Sequence, residues 1–134
     1  MKWYKELFTG KEAAKNAGRL IRNAEQGKFD PGLYLITLSS NGTDELDLVL
    51  ASSIRGKKTA ISRMPLVVGI AIGKHEAVQV AGEIARCAYF ESGAASIRQW
   101  ILDSVRTDAK EDANIPETGE REDSGIPGSG WNNV

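Results

Sequence analysis

The sequence predicts an α+β domain, a two-layer sandwich in which helices cover a three-stranded, largely antiparallel sheet. Three observations carry this expectation. Segments beginning at Lys11 and at Lys74 place apolar residues at helical spacing. Three apolar segments between them read as strands, and Asn41-Gly42, a favoured hairpin dipeptide, separates the first two. The predicted order is α-β-β-β-α-α, after a short helical segment at the N-terminus.

Trp3, Tyr4, Leu7 and Phe8 recur at helical spacing and predict one or two amphipathic turns, ended by Thr9-Gly10. Thr9 and Glu12 have capping-box spacing, so a helix is expected from Lys11. Ala13, Ala17, Leu20, Ile21 and Ala24 form its apolar stripe, and Gly27 stands where a left-handed cap closes it. After Asp30-Pro31-Gly32, Leu33 to Ser39 reads as a strand apolar on both faces and therefore central. Leu46 to Ala51 sets Leu46, Leu48 and Leu50 against Asp47, the alternation of a half-exposed edge strand. Ser52 to Arg63 reads as a polar connection. In the third strand, Leu66 to Ile72, the small face of Val67, Gly69 and Ala71 lets a helix or another backbone approach closely. Ala77, Val80, Ala81, Ile84 and Ala88 mark a helix from Lys74 to about Phe90, and Ile97, Trp100, Ile101 and Val105 mark another after Ser92-Gly93.

With 134 residues the chain has room for one domain. Its 41% apolar and 26% charged residues are globular values, and no apolar run reaches membrane-spanning length. Residues 1–106 carry 15 Lys and Arg against 11 Asp and Glu, whereas residues 107–134 carry 2 against 7. The expected organisation is a mildly basic globular domain over 1–106 and an acidic, disordered tail over 107–134. Met1-Lys2-Trp3-Tyr4-Lys5-Glu6 lacks the apolar stretch of a signal peptide, and Cys87 is the only cysteine, so a reducing, cytoplasmic setting is expected.

Several residues invite a chemical reading. Gly69 to His75 joins a strand to a helix start with glycines and a lysine, but its spacing is not that of a phosphate loop. His75 is the sole histidine, and its neighbour Glu76 points about 100° away around a helix, so acid–base chemistry is weakly supported. Cys87, inside a helix, reads as a small core residue before it reads as a nucleophile. Asp44, Glu45 and Asp47 solubilise a turn more readily than they bind a cation. No catalytic, cofactor-binding or metal-ligating residue is assigned. Arg55, Lys57 and Lys58, with Lys74 elsewhere, are the candidates for gripping nucleic-acid phosphates.

Gly69, Ala71, Lys74, Glu76, Ala77, Ala81 and Ala85 resemble the final helix motif of double-stranded-RNA-binding domains, whose helix, three strands, helix order is also the predicted one. The resemblance covers residues 69–85. It implies phosphate contacts from paired lysines at the helix start and one further along, of which only Lys74 is present. His75 and Val78 stand at the other two positions, and Gly73 replaces a serine.

Three functional classes follow. A non-catalytic protein-interaction module, self-association included, ranks first, because two strands apolar on both faces exceed what the expected helices cover. Trp3, Tyr4 and Phe8 are the candidate interface residues, and a homodimer is the expected assembly. Weak, sequence-tolerant nucleic-acid binding ranks second. A small-molecule site or an unfamiliar enzyme ranks third.

Overall fold

The computed structural model describes residues 1–113, with side chains through Arg106. The chain divides after Ile101 into two units. The first holds one mixed four-stranded sheet: β1 (Trp3–Thr9), β2 (Leu33–Leu38), β3 (Leu46–Leu50) and β4 (Val67–Ile72), in the spatial order β1-β4-β2-β3. β1 is parallel to β4, while β2 is antiparallel to both β4 and β3. The α+β class is as the sequence predicts, but the sheet has a fourth strand and is mixed.

That fourth strand is the segment expected to be helical. A helix of so few residues is marginal in water, and the aromatic residues of Trp3–Thr9 favour a pleated surface once β4 offers an edge. Its pairing is irregular. Trp3 faces Val67 and Phe8 faces Gly69, so β1 advances five residues while β4 advances two. The irregularity removes the period of two by which a strand is recognised.

The helix expected from Lys11 is divided at Lys15-Asn16 into α1 (Lys11–Ala14) and α2 (Ala17–Glu25). No side chain of its own first turn caps α1, so the Thr9–Glu12 capping box does not form. Gly27 closes α2 as expected: its φ is 76°, its N–H reaches the Ala24 carbonyl at 3.0 Å, and the Lys28 N–H reaches Asn23 at 2.8 Å. The β2–β3 hairpin is present, but Leu38 pairs with Leu46, so the connection spans residues 39–45 and is no two-residue turn. Asn41 instead shapes a longer loop, accepting the Thr43 N–H at 3.1 Å. The polar connection after β3 contains a 3-10 turn (Ala51–Ile54), with Ala51 and Ile54 buried, and α3 (Lys58–Ser62).

Helices lie on both faces of the sheet, so the layers number three where two were expected. Leu33, Leu35 and Ile70 pack with Ala13, Leu20, Ala24, Phe29, Ala51 and Ile54 in one buried cluster. Gly69 points the other way, beneath α4 (Lys74–Arg86), where a Cβ would lie 2.9 Å from Val80 Cγ1 and 3.2 Å from the Phe8 carbonyl oxygen. The small face of β4 therefore admits a helix, as its composition suggests. A bulge refines that face: Ile36 pairs with Gly69 and Thr37 with Val67, leaving Val68 as the extra residue. It brings Val67 into the cluster that holds Ile70. β1 before the first helix, and helices on both faces, also depart from the architecture that the RNA-binding resemblance implies.

Beyond α4 the chain continues through a π-helical turn (Cys87–Glu91) into α5 (Ile97–Ala113). α5 passes Arg106, where the apolar periodicity ends, and Arg106 and Asp103 pair along it at 3.5 Å. The rest of the expected tail lies outside the described residues. Among the described residues no helix is long and apolar enough to cross a membrane.

Candidate functional site

The chemistry-bearing residues gather at the two ends of α4. At its start the Glu76 carboxylate accepts the N–H of Ile72 at 2.8 Å, and those of Glu12 and Ala13 at 2.8 and 3.2 Å. Burial pushes this carboxyl upward, but the three N–H groups, with Lys15 adding attraction, hold it below the ordinary glutamate value. Glu76 thus supplies the cap that Thr9 was expected to give. His75 and Lys74 beside it are exposed.

At the far end Arg86 bridges Glu83 at 3.0 Å and Glu91 at 2.6 Å, holding the π turn to the helix that precedes it. Cys87 lies within this group, its sulfur 3.6 Å from a Glu83 oxygen. Burial raises the thiol pKa, and the negative charges of Glu91 and Glu83 raise it further against Arg86, so the thiol stays protonated and is a poor nucleophile. The Tyr89 hydroxyl donates to Asp44. Asp44 also accepts the Arg98 N–H at 2.9 Å, in the first turn of α5, and the Arg98 guanidinium reaches the Ser39 carbonyl at 3.0 Å. Burial raises the Asp44 carboxyl, but Tyr89, Arg98, Ile97 and Ser96 together lower it on balance. This acidic residue of the hairpin loop is a cap for α5. Among the described residues no group of three or more His, Cys, Asp or Glu is placed to hold a metal ion.

The turn that these bonds hold carries exposed aromatic surface. Phe90 is 83% exposed and Tyr89 38%, and Val78 on the outer side of α4 is 53% exposed. Sequence reasoning passed over both aromatics. The available signal was Tyr89-Phe90 standing outside the stripe of Ala77, Val80, Ala81, Ile84 and Ala88.

The residues proposed from the sequence are dispersed. The Arg55 guanidinium donates to the Phe29 carbonyl at 2.8 Å, and Lys57 precedes α3. Lys58 lines a cleft of about 340 Å³ with Met1, Ala24, Glu25, Gly27, Ile61 and Ser62. Lys74 opens α4 after β4, on an element apart from the other three. Trp3, Tyr4 and Phe8 do not form one surface. Tyr4 is buried, the Trp3 indole N–H donates to Glu25, and the Phe8 ring packs against Trp100 with centroids 6.4 Å apart. The expectation of a dimer rested on an uncovered sheet face, and the chain's own helices cover both. No protein-family profile, curated protein or solved structure matches the chain.

Proposed function

We propose that the chain is a non-catalytic protein-interaction module that binds a partner chain through the outer side of α4 and the π turn. The observation that supports this reading is Phe90, 83% exposed on a turn that is itself fixed by Arg86, Glu83, Glu91, Tyr89 and Asp44. A large aromatic held in water by a rigid backbone loses little conformational freedom when a partner covers it. Aromatic residues, phenylalanine included, are enriched in the buried centres of protein interfaces. Tyr89, next to Phe90 in the turn, is also exposed. The neighbouring polar groups are engaged with one another, which suits recognition better than catalysis.

The test is the material that copurifies with the full chain. A stoichiometric protein partner, measured by native mass, is expected, and Phe90→Asp should remove it without changing the melting temperature. A partner retained by Phe90→Asp overturns the reading. Nucleic acid in its place, detected by ultraviolet absorbance, would favour Arg55, Lys57, Lys58 and Lys74 instead.

A further inference from the structure

We infer that the cleft between the end of α2 and α3 binds a small apolar zwitterion, an amino acid or short peptide, with its ammonium at Glu25 and its carboxylate at Lys58. This site lies on elements other than those that carry Phe90 and does not rest on the Phe90 reading. The cleft holds about 340 Å³, near the lower end of the roughly 300–1,000 Å³ of ordinary ligand sites, so it suits a molecule of amino-acid to dipeptide size. Its apolar wall is the margin of the core. Ala24 is buried, and Met1 and Ile61 pack against the same buried cluster as Leu33 and Ile70. Met1 is held through Lys2, whose carbonyl accepts the Val67 N–H at 2.9 Å beside the Trp3–Val67 pairing of β1 with β4. The cleft is therefore built by the fold itself and needs no ligand to form.

Three polar groups line the cleft beside this wall, and each keeps bonding capacity for a ligand. One Glu25 oxygen accepts the Trp3 indole N–H, which orients the carboxylate and leaves its other oxygen for a donor. Lys58 lines the same cleft, yet among the described residues the two opposite charges form no ion pair with each other. The Ser62 hydroxyl donates to the Thr59 carbonyl at 3.0 Å, so toward a ligand it acts as an acceptor. Neither charge serves the helix that carries it. Glu25 is the last residue of α2, where the negative end of the helix disfavours a carboxylate, and Lys58 is the first of α3, where a cation is disfavoured in the same way. An ammonium bound at Glu25 meets both the carboxylate and the negative end of α2. A carboxylate meets Lys58, and an apolar side chain covers Met1, Ala24 and Ile61. A ligand with only one charge would desolvate Glu25 or Lys58 without pairing it, and that cost selects the zwitterion.

Calorimetric titration of the full chain with leucine and with leucyl-leucine tests this. At least one should bind, with a dissociation constant in about the 10 µM–1 mM range, and the tighter of the two tells a free amino acid from a peptide as the source. Isocaproate, which is leucine without its amine, and isoamylamine, which is leucine without its carboxylate, should each bind at least about ten-fold more weakly. Glu25→Gln keeps an acceptor for Trp3 and removes the charge, so it should weaken the zwitterion about ten-fold and abolish its advantage over isocaproate. Lys58→Met, at an exposed position, should do the same relative to isoamylamine. Absence of binding by both zwitterions up to about 10 mM, singly charged analogues that bind as tightly, or unchanged affinity in both variants overturns the inference. Phe90→Asp should leave the affinity unchanged. A chain that binds neither zwitterion but holds a protein partner through Phe90 loses only this inference, and one that binds the zwitterion but keeps its partner in Phe90→Asp loses only the Phe90 reading.

Discussion

Glu76 fills the space that a side chain at Gly10 would need. A Cβ at Gly10 would land on the Glu76 side chain, so the glycine is what lets the carboxylate reach the first N–H groups of α1. Glu76→Ala leaves the N–H groups of Ile72, Glu12 and Ala13 without this acceptor and should destabilise the fold by about 2–3 kcal/mol, measured by chemical denaturation. Gly10→Ala should cost a similar amount by displacing the carboxylate. The pH dependence has a definite sign. Because the folded carboxyl lies below its ordinary value of 4.5, its contribution is present above that pH and is lost as pH falls through the folded value. The deficit of Glu76→Gln should therefore shrink on acidification below 4.5, since glutamine resembles the protonated acid. A deficit that does not vary with pH would show that the charge contributes nothing.

Gly69 should tolerate no side chain. With Val80 Cγ1 at 2.9 Å and the Phe8 carbonyl oxygen at 3.2 Å from an added Cβ, Gly69→Ala forces α4 or β1 to move. The expected loss is about 1–3 kcal/mol. Val80→Ala in the same chain should recover part of it, and a double-mutant cycle without coupling would refute the contact.

Thr37 offers a gain. Its side chain is fully buried, and its hydroxyl oxygen has no hydrogen-bond partner among the described residues. Thr37→Val should stabilise the fold by about 1 kcal/mol, since the valine methyl carries no desolvation cost. A loss of stability on this substitution would reveal a partner for the hydroxyl.

Cys87 should react slowly. At neutral pH its alkylation by iodoacetamide should lag behind that of a free thiol, because the protonated form prevails. Glu83→Gln, which removes one nearby negative charge, should speed it. Reaction at the rate of a free thiol would contradict the geometry.

Much of the fold is legible in the sequence where local chemistry and tertiary contact agree. Gly27 closes α2, the alternation of Leu46, Leu48 and Leu50 marks an edge, and Gly69 with Ala71 announces a close approach. β1 is misread because its pairing with β4 is irregular and its spacing also fits a helix. The cap of α1 is misplaced because it comes from Glu76, far along the chain, and local motifs show only near neighbours. The site is less legible than the fold. Arg55 and Tyr4 have the composition of surface groups, yet one is tied to Phe29 and the other is buried. Phe90 fits the end of a helix pattern, and its exposure follows from a π turn that periodicity does not reveal.

The parallel pairing of β1 with β4 sets an order of events in folding. Trp3 and Val67 are 64 residues apart, whereas Leu38 and Leu46 close a short loop, so the hairpin can form quickly and β1 must wait. During synthesis β1 leaves the ribosome first and is the strand whose partner is made last. Trp3 and Phe8 therefore spend that interval in water, and the nascent chain is most exposed to chaperone capture until Ile72 has emerged and β4 gives β1 its place.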